Sequence, residues 1–310
     1  MVKITNISSS VIKLDVPKDI DGWKIPNMPE IKTTFKMTDT VAAFANAFRI
    51  CSQEEIETNI MDVDINDTSN IQIGDSYILS DMLNLNLNLI PITQDIDDAE
   101  FELIAFNNTI HPLNVYSKDI KQVKGKTQVH FNKNIKIMCL LESNTGVKIR
   151  NIKIKKGFGK YYSSHNLVRC SYKTINKIGK PLESTYTDFE FEFISTCIDG
   201  NTLMLKTVNC IDKYCDMVLD VVVEKSGKKV SSENSTEYYF DDGAYMLGNL
   251  LRVYILKVDS TIELISVNIV HPEENTVSVH VVHKNPDDIM KKAVSMIKKD
   301  LTIVSKSFSK

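Results

Sequence analysis

No stretch of this 310-residue chain approaches the roughly 20 consecutive apolar residues that a bilayer-spanning helix requires, so no membrane span is expected. The first ten residues, MVKITNISSS, carry no apolar run after Lys3, and no export signal is expected either. The six cysteines, Cys51, Cys139, Cys170, Cys197, Cys210 and Cys215, include no C-x-x-C pair, which points to reduced thiols in a cytosolic or nuclear setting. A phosphate loop is missing too. In KKGFGKYY one residue separates Gly157 from Gly159, and Tyr161 stands after Lys160 where Ser or Thr is needed, so a turn is the plainer reading. His271, His280 and His283 do not have metal-ligand spacing. In a strand a separation of three sends His280 and His283 to opposite faces, and exposed strand histidines are expected. Asp62 and Asp64 share a strand face but have no His, Gly-rich loop or further carboxylate beside them, so solvated acids are expected rather than acid-base or metal chemistry. No catalytic constellation remains.

What the chain does contain is one pattern written twice. Asp39 to Arg49 reads DTVAAFANAFR and Asp242 to Arg252 reads DGAYMLGNLLR. In both, an Asp is followed by an Asn at the seventh position and an Arg at the tenth. Val41, Phe44, Ala45 and Phe48 fall at i, i+3, i+4 and i+7, and Ala244, Leu247, Gly248 and Leu251 repeat the spacing, so each segment is an amphipathic helix with one apolar stripe. Asn46 with Arg49, and Asn249 with Arg252, lie one turn apart on the flank of that stripe. Two copies of one interface helix in one polypeptide imply a built-in dimer.

The remaining patterns describe an α+β protein. Ile56 to Ile65 alternates as a half-buried strand, and a helix capped by Ser80 with Leu83 and Leu87 one turn apart ends at Pro91. The irregular stretch from 96 to 155 reads as a small inserted subdomain. Phe189, Phe191 and Phe193 mark a strand, and Met204, Val208, Ile211, Cys215 and Val218 a helix. The polar, Ser-rich KSGKKVSSENS places a linker at 225–236. Beyond it come a strand from Ile262 to Val270, a turn at His271 and Pro272, a strand with Val277, Val279 and Val281, and a last helix opened by Pro286. That helix has a stripe of Met290, Val294, Ile297, Leu301 and Val304. Charge is unevenly spread: residues 1 to 117 hold 18 acidic and 7 basic side chains, whereas Lys118 to Lys160 hold 12 basic and 2 acidic. Such a field attracts acidic surfaces or phosphates, but no aromatics alternate with these lysines as a single-strand platform requires. A solvated Lys-rich region is the plainer reading.

The second half, from YFDDGAYMLGNLLR through the HP turn to the terminal helix, resembles the small eleventh subunit of eukaryotic RNA polymerase II and the archaeal L subunit. The first half, through FANAFR, IETNIMDVDI, the leucine-rich run ending LIPI, VYSKDI, and KKGFGKYYSSH with SYKTI, resembles the third subunit, the archaeal D subunit and the bacterial alpha amino-terminal domain. The resemblance implies two pseudo-symmetric RNA polymerase alpha-type dimerisation folds in one chain, with an α/β or mostly β insert in the first. It divides the chain into a discontinuous third-subunit-like domain (1–95 and 156–224), the insert (96–155), the linker (225–236) and an eleventh-subunit-like domain (237–310). It implies a noncatalytic assembly platform that holds the two largest polymerase subunits and a small tenth-subunit-like protein, with DNA and RNA met only through the complex and no membrane. On it, Val41, Phe44, Phe48, Leu247, Leu251, Met290, Val294 and Ile297 would form the internal dimer interface, and Asn46, Arg49, Asn249, Arg252, Lys156 and Lys160 would face the large subunits. Fused forms of this pair occur in large cytoplasmic DNA viruses, and the Asn, Ile and Lys richness fits an AT-rich genome; host cytoplasm and virion are the implied locations, or otherwise the nucleus. Two departures stand out. Ile50 follows Arg49 where relatives carry a second Arg, and the insert offers only Cys139 where many relatives bind zinc or an iron-sulfur cluster, so no cofactor or metal is expected. Two other readings stay open: a free-standing fused-dimer scaffold with another partner, and a nucleic-acid-binding enzyme that uses the basic insert.

Overall fold

In the computed structural model, which describes residues 2–12, 30–90, 92, 96, 98–129, 135–161, 165–175, 187–196, 198–223, 228–241, 245–271, 273 and 276–309, the period-two patterns are antiparallel strands and the 3.6-period stripes are helices. The chain begins with β1 (Lys3–Ile12), β2 (Glu30–Thr38), α1 (Ala42–Glu54), β3 (Glu57–Asp62), β4 (Ile71–Ile73) and α2 (Ser80–Asn88). It continues with β5 (Glu100–Asn107), β6 (Leu113–Tyr116), a 3-10 turn at Ser117–Asp119, β7 (Ile120–Lys124), β8 (Lys136–Leu140) and β9 (Thr145–Phe158). Then come β10 (Val168–Thr174), β11 (Phe189–Thr196), α3 (Gly200–Val222), β12 (Lys229–Ser231), β13 (Ser235–Phe240), α4 (Tyr245–Val258), β14 (Leu264–Ile269), β15 (Val277–Val282) and α5 (Pro286–Phe308).

Two of the sheets are built alike. One has the order β1-β2-β11-β10 and the other β12-β13-β15-β14, and every neighbouring pair is antiparallel. In each half a hairpin leads to a helix, a second strand pair and a closing helix, so α1 corresponds to α4 and α3 to α5. The hairpins β1-β2 and β12-β13 are additions to the helix-strand-strand-helix layout read from the sequence. Lys229–Ser231, inside the stretch expected to be an irregular linker, pairs with β13, because Val230 and its neighbours find ladder partners in Thr236 to Tyr238.

The helices begin and end where their chemistry allows. Asp39 adopts φ +57° ahead of α1, a left-handed conformation that Asp tolerates, and its carboxylate lies 2.9 Å from Lys3 Nζ. Asp242, its counterpart, lies outside the described residues, as do Ala244, Pro91 and Pro272. Asp199 caps α3 by accepting the Thr202 N–H at 2.9 Å. Pro286 opens α5 with Asp287 and Asp288 in its first turn. Ser80 does not cap α2. Leu79 occupies the cap position without a side-chain bond, and Ser80 is already helical.

The core is in two parts. The larger takes residues from both halves, from Phe35 and Phe48 to Leu251, Ile297 and Phe308, in one contiguous cluster. The smaller fills the space between the sheet β3-β9-β5-β7, with β4 also on β9, and the layer made by α2 and the ribbon β6-β8. It uses Met61, Val63, Leu83 and Leu87 as well as residues of 96–155, since β3 hydrogen-bonds along β9 from Glu57 to Asp62.

Candidate functional site

The candidate site is the helical layer where the two halves meet. Helix α1 packs on α4 and α3 on α5, while α3 touches β13 and α5 touches β1, so the closing helix of each half reaches the first hairpin of the other. Phe44, Phe48, Leu247, Leu251, Met290, Val294 and Ile297 are all buried in the shared cluster, and Val41, at the N-cap of α1, is half-buried against it. Across the boundary the Phe44 and Tyr254 rings stand 6.2 Å apart, and Phe308 meets Phe35 edge-on at 5.2 Å. Burying one such side chain contributes about 1.5–3 kcal/mol, so the seven together outweigh the polar contacts at this boundary.

Polar contacts at the margins fix the register of these helices. Lys298 of α5 lies 2.9 Å from Asp212 and 2.6 Å from Asp216 of α3, an ion-pair fork that joins the halves. Burial works against its charge, yet hydrogen bonds to Asp216 and Asp212 raise the Lys298 pKa overall. Within the second half Tyr254 Oη donates to Asp300 at 2.7 Å and Tyr238 Oη to Asp287 at 2.6 Å. Burial, with the adjacent carboxylate, pushes both phenols up, so both remain donors at every physiological pH. Sequence reading missed Tyr254, although it extends the stripe one turn beyond Leu251. It also missed the Lys298 fork, whose partners lie 82 residues or more away in the chain.

The flanking polar residues differ between the copies. Arg49 Nε donates to Asn46 Oδ1 at 3.1 Å and its Nη1 to Gln53 Oε1 at 3.2 Å, so the first pair is held against its own helix. Arg252 is exposed and, among the described residues, its side chain makes no hydrogen bond or ion pair, while Asn249 is half-buried. Lys160 docks on the end of α1, where its N–H donates to Glu54 O at 3.0 Å and its Nζ lies 3.1 Å from the buried Glu55. Its ammonium also sits 5.0 Å from the Tyr161 ring centre. Lys156 is exposed on β9 opposite Asn59. Beside Glu55 a groove of about 720 Å³ runs between α3 and the start of β3, with Thr58, Phe158, Lys206, Cys210 and Tyr214 in its wall.

The residues weighed for chemistry have structural duties. A Cβ on Gly157 would stand 2.5 Å from His165 Nε2, and one on Gly159 would stand 2.6 Å from Gln53 O, so these glycines permit close packing. Asp62 takes an amide from Asn84 and faces Lys155 at 3.7 Å, whereas Asp64 lies past the strand and accepts the Asn66 N–H. His283 falls after β15 rather than within it and accepts the Asn285 N–H; His271 does the same for Glu273, and His280 is half-buried. Burial pushes the thiols of Cys170 and Cys215 up to about 12, and Cys51 is raised by its bond to Cys210 and by burial, the opposite of what a thiolate ligand or nucleophile needs. Among the described residues no group of three or more His, Cys, Asp or Glu is placed to hold a metal, and no helix is long and apolar enough to cross a membrane.

No protein-family model matches the chain. Over 117 residues, 37% of its length, it is 27% identical to the DNA-directed RNA polymerase RPB3-11 homolog of African swine fever virus isolate Pig/Kenya/KEN-50/1950. It is 26% identical over the same length to the homolog of isolate Tick/Malawi/Lil 20-1/1983. The matched region amounts to 32% of the length of these relatives, so this chain is similar to only about a third of each.

Proposed function

We propose that the chain is a noncatalytic assembly subunit of a DNA-directed RNA polymerase, an internal pseudo-heterodimer that docks the two large catalytic subunits and a small tenth-subunit-like protein. The observation that carries this reading is the repeated architecture: two halves of one strand-strand-helix-strand-strand-helix order meet through corresponding helices in a single core. The similarity to viral RPB3-11 homologs supports it from an independent direction. In this reading Val41, Phe44, Phe48, Leu247, Leu251, Met290, Val294 and Ile297 hold the halves together. Asn46, Arg49, Asn249, Arg252, Lys156 and Lys160 face the large subunits, and the discontinuous domain, insert and second domain take the parts described above. The phosphodiester chemistry belongs to the large chains. The place of action is the cytoplasm and virion of a large DNA virus.

Isolation of the tagged chain from its native source tests the assignment. Two very large polypeptides and a small one are expected to copurify with it in equal amounts. Recovery of the chain without large polypeptides would favour a free-standing scaffold.

A further inference from the structure

The sheet of the smaller core has two unlike faces. One carries Phe101, Leu103, Ile149 and Ile152 into that core. On the other, register places Ile104 of β5 opposite Lys148 of β9 and Phe106 opposite Gly146, with Arg150 and Lys153 following along β9. Ile104 is 55% exposed, Phe106 60%, and Ile110 in the loop after β5 85%. The aromatic ring is seated: a Cβ on Gly146 would come within 2.9 Å of Phe106 Cδ2, so only glycine leaves room for the ring beside the strand.

The charges on this face are partly spent. Lys124 pairs with Glu100 at 3.1 Å and Lys155 with Asp62 at 3.7 Å. The side chains of Lys148, Arg150 and Lys153 make no hydrogen bond or ion pair among the described residues. Apolar side chains beside unpaired cations on an open sheet face are unlike the polar surface that such a face ordinarily shows to water. Phosphate chains fit this face poorly, because among the described residues its register places one aromatic ring there, Phe106, and Glu100 and Glu102 share the face. We infer that the outer face of this sheet docks an acidic polypeptide segment, which lays apolar side chains on Ile104 and Phe106 and carboxylates on Lys148, Arg150 and Lys153. The function of the basic stretch is then recognition of protein rather than of nucleic acid, and it is independent of the helical layer between the halves.

Fluorescence anisotropy on the full chain tests this with two probes: a labelled peptide alternating Glu with Leu and Phe, and a labelled oligothymidylate of matching charge. At a physiological salt concentration of about 0.15 M the peptide is expected to bind at least about tenfold more tightly than the oligothymidylate. Combined Lys148→Glu and Arg150→Glu, and separately Phe106→Ser, are each expected to weaken the peptide about tenfold or more, with the melting temperature unchanged because these side chains are on the surface. Equal or tighter binding of the oligothymidylate, failure of the peptide to saturate, or a Phe106→Ser chain that binds as the parent does would each overturn the proposal.

Discussion

At the scale of single residues, the shared core is held by side chains whose surroundings leave them no alternative. Phe48 and Leu251 are fully enclosed in the shared core, so Phe48→Asp or Leu251→Asp would bury a carboxylate with no cation to pair it. A loss of roughly 3–5 kcal/mol is expected, read as a fall in the urea midpoint or as insoluble protein. Gly159→Ala is expected to cost about 1–3 kcal/mol in the same assay, because the new methyl would meet the Gln53 carbonyl, a backbone atom that cannot swing aside. Arg252→Ala should leave the melting curve within about 0.5 kcal/mol of the parent, since the side chain is exposed, while lowering recovery of the large subunits in the isolation described above. Buried apolar stripes were legible in the sequence because burial follows periodicity. The Lys298 fork and the Tyr254 bond were not, because the fork joins residues that become neighbours only after the halves have packed and the bond only after α4 has packed on α5.

At the scale of elements, the helices were read well and their ends less so. The stripes of α3 and α5 continue for many turns, whereas a cap depends on one residue's backbone angles, which is why Ser80 appeared to be a cap and Asp199 was overlooked. Asp199 gives a testable pH dependence. Its hydrogen bonds to Thr202, through the side chain first and then the backbone, hold its carboxyl below the usual range. A carboxyl depressed in the folded state contributes stability that is present above its unfolded pKa of about 3.9 and is lost as pH falls through the folded value. Asp199→Ala should therefore cost about 1 kcal/mol near pH 7, and the gap between parent and variant in urea melts should close below about pH 4. A gap that stayed constant into acid would mean the cap is not the source. The strand β12 was not legible for a related reason: Lys229–Ser231 is too short to show alternation, and pairing with β13 makes it a strand.

At the scale of the whole molecule, the two repeats of the topology share one core. A covalent connector raises the local concentration of the second half to the millimolar range for a short tether, but the contacts of α1 with α4 and of α3 with α5 should hold without it. The Asn-Arg pairs of the doubled pattern fall on α1 and α4. Lys229 is not a place to cut, since it lies in β12 and its Nζ bonds Asp287 at 2.7 Å. The most direct measurement is to divide the chain between Val223 and Lys228, tag the second piece, express both together and run the product on a sizing column with mass detection. The two pieces should elute as one species of equal stoichiometry near the 35.1 kDa of the intact chain, and Phe48→Asp in the first piece should abolish it. Two pieces that elute separately as soluble, folded monomers would contradict the internal dimer.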